Sequence, residues 1–187
     1  MGKIIMVTGG KCCGKSAFAE DMAGQFGDNV LYIATLVPNE ADEETCYRIN
    51  SRQEFRPETW DTLEAYDGIG DHIENFGAGY DAIILNRISV MVTNLMLDYQ
   101  LNWADAGIEA LKRIEKEIVN KVKDVLVSAQ AVPAPVIVVT NELGLGTRPE
   151  DRFTKIRRDI TGKINMKVAS ISDEAYLVVS GIPVKIK

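Results

Sequence analysis

Short apolar runs punctuate the chain at Lys3-Ile4-Ile5-Met6-Val7-Thr8, Val30 to Thr35, Ala82 to Asn86, Val136 to Thr140 and Ala175 to Ser180, each bounded by turn residues. None alternates apolar with polar positions. Continuous runs of this length predict parallel strands covered on both faces, because each face must meet an apolar layer. The segments between them carry helical periodicity. A first helix is predicted over Ala17 to Phe26. A second runs from about Ala104 to Ala129, where Ile108, Leu111, Ile114, Ile118, Val122 and Val125 form one stripe opposite Lys and Glu. A third runs from about Glu150 to Ser170, with Phe153, Ile156, Ile160, Ile164 and Val168 on one face and Pro149 near its first turn. Its other side is basic through Arg152, Lys155, Arg157, Arg158 and Lys163, which is a solvated face or a face with one arginine reaching a phosphate at the strand ends. The chain closes on Gly181 to Lys187, where Pro183 suits an edge strand. Strands alternating with helices predict a three-layer α/β domain with a mostly parallel sheet, one domain over residues 1–187.

One junction between a strand and a helix carries specific chemistry. Gly9-Gly10-Lys11-Cys12-Cys13-Gly14-Lys15-Ser16 fits the phosphate-loop pattern G-x-x-x-x-G-K-[ST], with a strand before it and a helix after it. Glycines let the backbone N–H groups turn inward around a phosphate chain, and the helix that follows offers its positive N-terminal end to the same anion. Lys15 is then placed to reach the β- and γ-phosphates and Ser16 to ligate Mg²⁺, which makes the chain a P-loop nucleoside-triphosphate binder.

Composition narrows the partners. The length of 187 residues suffices for a substantial core without staples, and a net charge of -6 argues against a nucleic-acid surface, which would be basic. Three cysteines and no leader-like segment lead to the expectation of free thiols in a cytoplasmic protein. No apolar run reaches the length of a membrane span.

Two further segments sit where ligands bind in open α/β sheets, at the carboxyl ends of strands. From Leu36 to Glu64 the sequence turns polar and irregular, a loop and helix expected to cover the nucleotide. After Thr140 comes Asn141-Glu142-Leu143-Gly144-Leu145-Gly146. Glu142 there either holds metal-bound water or orients a substrate hydroxyl, or it caps a neighbouring turn.

Several blocks together carry a family resemblance: Val7-Thr8-Gly9-Gly10 with Gly14-Lys15-Ser16, Leu31-Tyr32-Ile33-Ala34-Thr35, Arg48-Ile49 with Arg56-Pro57 and Trp60, and Met91-Val92-Thr93-Asn94-Leu95. Val139-Thr140-Asn141-Glu142-Leu143-Gly144, Arg158-Asp159 with Gly162 and Asn165, and Ser180-Gly181-Ile182-Pro183 extend it along the chain. In these the chain resembles the adenosylcobinamide kinase / adenosylcobinamide-phosphate guanylyltransferase family of cobalamin biosynthesis. The resemblance implies a RecA-like P-loop fold and a homotrimer. It also implies phosphorylation of the aminopropanol hydroxyl of adenosylcobinamide, a corrinoid, from ATP or GTP, followed by GMP transfer through a GMP-histidine intermediate. By position it places nucleotide contacts on Gly9, Gly10, Lys11, Cys12, Cys13, Gly14, Lys15 and Ser16, on Thr35 and Leu36, and on Arg56, Glu64 and Asn86.

The chain departs from that pattern at three places. Arg52 stands where the resemblance puts the guanylylated histidine, and the only histidine is His72, well outside the motif and expected on the surface. A guanidinium with a pKa above about 12 has no free lone pair near neutral pH and cannot act as a phosphoryl nucleophile. Asn86-Arg87 follows the strand where the family carries an acid, so an amide oxygen without charge replaces a carboxylate near the metal. Lys11-Cys12-Cys13 replaces Ala-Arg-Ser inside the loop, a change the backbone cradle tolerates. The residues thus predict a kinase that keeps Lys15 and Glu142 as catalytic groups. The alternatives are a non-catalytic nucleotide-binding homologue or a P-loop kinase for another small alcohol.

Overall fold

The computed structural model describes residues 2–36 and 56–187. Seven strands form one sheet in the order β3-β2-β4-β5-β1-β6-β7. They are β1 Ile4–Gly9, β2 Val30–Ala34, β3 Asp61–Glu64, β4 Ala82–Asn86, β5 Val136–Val139, β6 Glu174–Val179 and β7 Ile182–Lys185. All neighbours run parallel except β6 and β7, which are antiparallel. The helices among the described residues are α1 Lys15–Gly24, α2 Ile69–Phe76, α3 Ile88–Leu97, α4 Ile108–Ala131 and α5 Arg152–Ile171.

The apolar runs are explained by which residues share a face. Ile5, Val7, Val30, Tyr32, Ile84, Ile137 and Val139 pack with Ala19 and Ala23 of α1. Their chain neighbours Ile4, Met6, Leu31, Ile33, Ile83, Leu85, Val136 and Val138 pack into the opposite layer with Ile69, Ile73, Ile88, Ile114, Ile118, Ile160 and Ile164. Burying a side chain of this size stabilises the fold by about 1.5–3 kcal/mol, so the doubly covered strands are apolar up to their carboxyl ends, where Thr8 on β1 and Asn86 on β4 are the buried polar residues. Helix α4 lies against α2, α3 and α5 and is the centre of its layer.

Several expected boundaries shift for local reasons. The first helix starts at Lys15 instead of Ala17, because Gly14 in a left-handed conformation, φ 94°, turns the chain directly into it. Helix α4 starts at Ile108, not near Ala104, since the guanidinium of Arg152 donates to the carbonyls of Ala104 and Ala106 at 2.6 and 2.7 Å and holds them in a turn. Helix α5 begins at Arg152, capped by Asp151, whose carboxylate accepts from Thr154 N at 2.7 Å, so Pro149 precedes the helix and is not in its first turn. That hydrogen bond from the Thr154 amide also lowers the Asp151 carboxyl below its usual range.

The expectation of irregular chain throughout Leu36 to Glu64 is corrected at its end. Asp61–Glu64 is a strand pairing parallel with Leu31 to Ala34. It escapes an apolar-run reading because, as an edge strand, three of its four positions are exposed. Residues 37–55, which include Arg48, Ser51 and Arg52, lie outside the described residues. The expected C-terminal edge strand is present as β7. Ser180 and Gly181, at φ 51° and 82°, form the two-residue turn that enters it, both in the left-handed region that such hairpins require. Pro183 opposes Val178 one pair beyond the turn-flanking pair Val179 and Ile182, a position whose N–H points away from the partner strand.

Glu174 ties this hairpin to the start of the chain. Its carboxylate meets Lys3 at 2.5 Å, the Tyr176 hydroxyl at 2.5 Å and Lys185 at 3.0 Å. Hydrogen bonds from Lys3 first, then from Tyr176 and Lys185, hold the Glu174 carboxyl at about 2. A folded value below the ordinary value near about 4.3 means that the ionised group stabilises the fold above that pH and loses its contribution as pH falls toward 2. We expect Glu174→Gln to cost less than about 1 kcal/mol near neutrality, because the cluster is solvent-screened. In thermal melts the gap between variant and parent should close on acidification; a gap that is unchanged down to pH 2 contradicts the assignment.

Candidate nucleotide site

The residues between β1 and α1 form a cradle open at Gly10, where a side chain would meet no atom within 4 Å, and closed below by the next strand. A Cβ on Gly9 would stand 2.5 Å from the carbonyl oxygen of Val178 on β6. At Gly14 it would stand 3.0 Å from Gly181 Cα. The Gly181 amide donates to the Cys13 carbonyl at 2.8 Å, so the turn between β6 and β7 forms a wall of the loop. Cys12 is exposed at φ 58° and Cys13 is half-buried, both as free thiols, and the Lys11 side of the loop faces solvent.

Lys15 is buried, 4% exposed, and its ammonium donates to the Gly10 carbonyl at 2.7 Å, which folds the side chain back across the cradle. Ser16 is half-buried at the start of α1, and its hydroxyl accepts from Asn86 Nδ2 at 3.3 Å. The same amide nitrogen donates to the Tyr32 hydroxyl. With both amide hydrogens used by Ser16 and Tyr32, Asn86 Oδ1 is buried with no hydrogen-bond partner among the described residues. The Tyr32 ring in turn lies under Arg56, whose guanidinium carbon is 3.5 Å from the ring centroid. A line of contacts therefore joins Ser16, Asn86, Tyr32 and Arg56 across α1, β4 and β2. Arg56 also donates to Thr62 on β3 at 3.1 Å.

Glu142 sits beside the same loop, because its backbone amide donates to the Gly9 carbonyl at 3.0 Å and Thr140 N donates to Val7 O at 3.0 Å. Its carboxylate accepts from the Gly144 amide at 2.7 Å, so one oxygen caps the turn. Asn165 of α5 pegs the strand end, accepting from the Thr140 hydroxyl at 2.7 Å and donating to the Asn141 carbonyl at 2.9 Å. Arg158 holds the rest of the loop through Gly144 O at 3.1 Å and Thr147 O at 3.4 Å.

The outlying expected contacts are placed less centrally. Thr35 is fully buried and its hydroxyl exchanges hydrogen bonds with Arg87, accepting from its amide at 2.9 Å and donating to its carbonyl at 2.8 Å. That pair joins the ends of β2 and β4, with Leu36 half-buried just beyond. Glu64 pairs with Ala34 at the carboxyl edge of β3. At about 4.8 Å per strand it lies roughly 19 Å across the sheet from β1, away from the phosphate cradle. His72 is half-buried on α2 with its ring 4.8 Å from that of Phe76 and belongs to no part of this cluster. Arg158, one of the basic residues expected to offer an arginine at the strand ends, does reach the loop after β5, whereas nothing in the local spacing of Tyr32, Asn165 or Gly181 shows that the fold carries them to the site.

A parallel sheet with a buried lysine, a helix N-terminus and a glycine cradle at its carboxyl edge defines a P-loop nucleoside-triphosphate-binding protein of α/β class. No helix among the described residues is long and apolar enough to cross a membrane. The family described as cobinamide kinase / cobinamide phosphate guanyltransferase matches residues 5–186, and the chain belongs to it. It is 38% identical over 184 residues to the bifunctional adenosylcobalamin biosynthesis protein CobU of Escherichia coli K12, covering 98% of this chain and 99% of that protein. It is 39% identical over 189 residues to the protein of the same name from Salmonella typhimurium LT2, with 98% and 99% covered. With CobP of Pseudomonas aeruginosa PAO1 it shares 27% over 182 residues, with 97% and 96% covered.

The contact between Gly9 and β6 gives a direct test. Gly9→Ala places a methyl group against a backbone carbonyl that no rotamer change can move. We expect a loss of thermal stability worth about 1–3 kcal/mol and a loss of most nucleotide-induced stabilisation. A Gly9→Ala protein that melts and binds nucleotide like the parent contradicts the packing described.

Proposed function

We propose that this chain transfers the γ-phosphoryl group of ATP or GTP to the aminopropanol hydroxyl of adenosylcobinamide. The observation that carries the reading is the intact cradle, with Lys15 folded across it and Ser16 joined to Asn86, in a chain that aligns with its relatives from end to end. Phosphoryl transfer asks mainly for positioning and charge neutralisation, which these groups supply. Lys15 is assigned to the β- and γ-phosphates, and the backbone amides of Gly10 to Ser16 to the phosphate chain. Glu142, held beside Gly9, orients the attacking hydroxyl with the carboxylate oxygen that does not cap Gly144.

Mg²⁺ fits the donor set present. Ser16 offers a hydroxyl oxygen, and Asn86 offers a buried carbonyl oxygen that no protein group among the described residues uses. When bound, the ion neutralises charge on the β- and γ-phosphate oxygens. An amide supplies no charge, and hydroxyls at Tyr32 and Ser16 can donate to a carboxylate as readily as they accept from an amide. Asn86→Asp is therefore expected to tighten Mg-nucleotide binding by about threefold to tenfold, or roughly 0.6–1.4 kcal/mol. Equal or weaker affinity in a calorimetric titration would place the metal away from β4.

The second activity in the family's description, guanylyl transfer, draws a different expectation. With Arg52 where the resemblance puts the histidine, no imidazole stands at the position that carries GMP in the family, and Ser51 beside it has no identified base. One assay separates the readings: adenosylcobinamide with Mg²⁺ and either triphosphate, followed for adenosylcobinamide phosphate, with GTP labelled on the α-phosphate in parallel. We expect product from the parent protein, a decrease of at least about a hundredfold in Lys15→Ala, whose missing charge is aimed at the phosphates, and no label on protein. Nucleotide binding without product selects a non-catalytic homologue. Stoichiometric GMP on any side chain overturns the loss of guanylyl transfer.

A further inference from the structure

The helix α5 extends beyond the sheet. Asn165 is level with the end of β5, where it contacts Thr140 and Asn141. Lys155 is ten residues earlier, so at about 1.5 Å per residue it stands roughly 15 Å past the strand ends, on the side where the nucleotide loop lies. Between this overhang and the loop after β5 is a cavity of about 290 Å³ lined by Arg148, Pro149, Lys155, Arg158 and Asp159.

Three cations and one carboxylate line it, in a chain whose net charge is -6. None of Arg148, Lys155 and Arg158 has a carboxylate within ion-pairing distance among the described residues. Arg158 spends two nitrogens on the carbonyls of Gly144 and Thr147, and Lys155 donates to the Glu150 carbonyl at 2.6 Å; Lys155 also acts on the Asp151 carboxylate at longer range, and neither cation has an ion pair within contact distance among the described residues. Carbonyl contacts leave a guanidinium with donors to spare. The carboxylates nearest in sequence are Glu150, Asp151 and Asp159; Asp151 is engaged by Thr154 N as the helix cap. A larger cavity of about 350 Å³ lies between α4 and α5, but there Lys163 is paired with Glu115, and Lys112 with Glu109 at 3.0 Å. Only the first combines unpaired cations, a concave wall and a place at the carboxyl edge of the sheet.

We propose that this cavity is a second anion site, separate from the P-loop, that takes the phosphate monoester group of the non-nucleotide product. The proposal rests on the reading above only for the identity of that ester; the site itself is defined by charge and shape. Arg158 joins it to the active loop, because the loop it holds carries Glu142, whose amide is bonded to Gly9. Phosphate in the cavity would thus sit on the flank of the transfer site, where a phosphorylated aminopropanol arm leaves the P-loop.

The test is calorimetric titration of the full chain with inorganic phosphate and, separately, with aminopropanol phosphate, each with the P-loop filled by excess MgADP and repeated in Lys15→Ala. We expect saturable binding of the ester in both settings, tighter than that of inorganic phosphate. It should weaken at least about tenfold in the Arg148→Gln/Lys155→Gln variant, which removes two charge-assisted contacts. MgADP affinity and melting temperature of that variant should match the parent. Arg148→Lys, at an exposed position, should retain the binding and guards against a folding artefact. If inorganic phosphate binds as tightly as the ester, the site recognises the free anion and the product assignment falls. Absent binding, displacement by MgADP, or full affinity in the charge-removed variant overturns the site, and none of these bears on whether the kinase assay gives product.

Discussion

The position of β1 between β5 and β6, all three parallel, is the constraint on which the rest depends. Parallel neighbours deliver their carboxyl ends to one edge, so the loops after β1, β4 and β5 arrive together although their residues are up to 130 positions apart in order from Gly9 to about Val139. The phosphate loop can then be built almost entirely from backbone. Its floor is the β6 carbonyl of Val178, its wall is the turn at Gly181, and its opening is the surface over Gly10. Such a cradle depends on the absence of side chains at Gly9 and Gly14, and little on what stands at Lys11, Cys12 and Cys13.

Polar contacts at the sheet edge then divide into two kinds. Thr35 with Arg87, and Asn165 with Thr140 and Asn141, satisfy each other and fasten strand ends together. Asn86 Oδ1 is of the other kind, buried without a partner among the described residues while both its donors are used, and Thr8 Oγ1 and the Asn141 side-chain oxygen are likewise buried without one at the ends of β1 and β5. A buried orphan acceptor costs about 1–3 kcal/mol unless something answers it. That cost is difficult to reconcile with a purely structural role for the amide and is consistent with a ligand completing the site.

How much of this could be read beforehand follows from how each feature is encoded. The phosphate loop is local in sequence, so Gly9 to Ser16 declared both the strand before it and the helix after it. Doubly covered strands are likewise visible, because Ile83, Ile84 and Leu85 face alternate layers and are all buried. Edge strand Asp61–Glu64 was illegible for the converse reason, since exposure removes the apolar run. The start of α4 depended on an arginine some 46 residues away at Arg152, and no periodicity contains such information. The same holds for Tyr32, whose hydroxyl matters only because β2 and β4 are neighbours.

The distribution of sequence change fits this division between backbone and side-chain chemistry. Phosphoryl transfer in a P-loop uses amides, one lysine and a metal-binding hydroxyl, and those parts are intact here. Guanylyl transfer by way of an imidazole needs one particular side chain with a lone pair, which a guanidinium does not offer near neutral pH. Arg52 is compatible with binding a phosphate and incompatible with carrying one covalently. Under the proposed function, demand for the first reaction alone permits exchange at that position and a softer charge at Asn86, whose amide keeps an oxygen. On the function proposed above, the two substitutions point in the same physical direction, toward a scaffold that holds a nucleotide by geometry and does without the step that needs an imidazole.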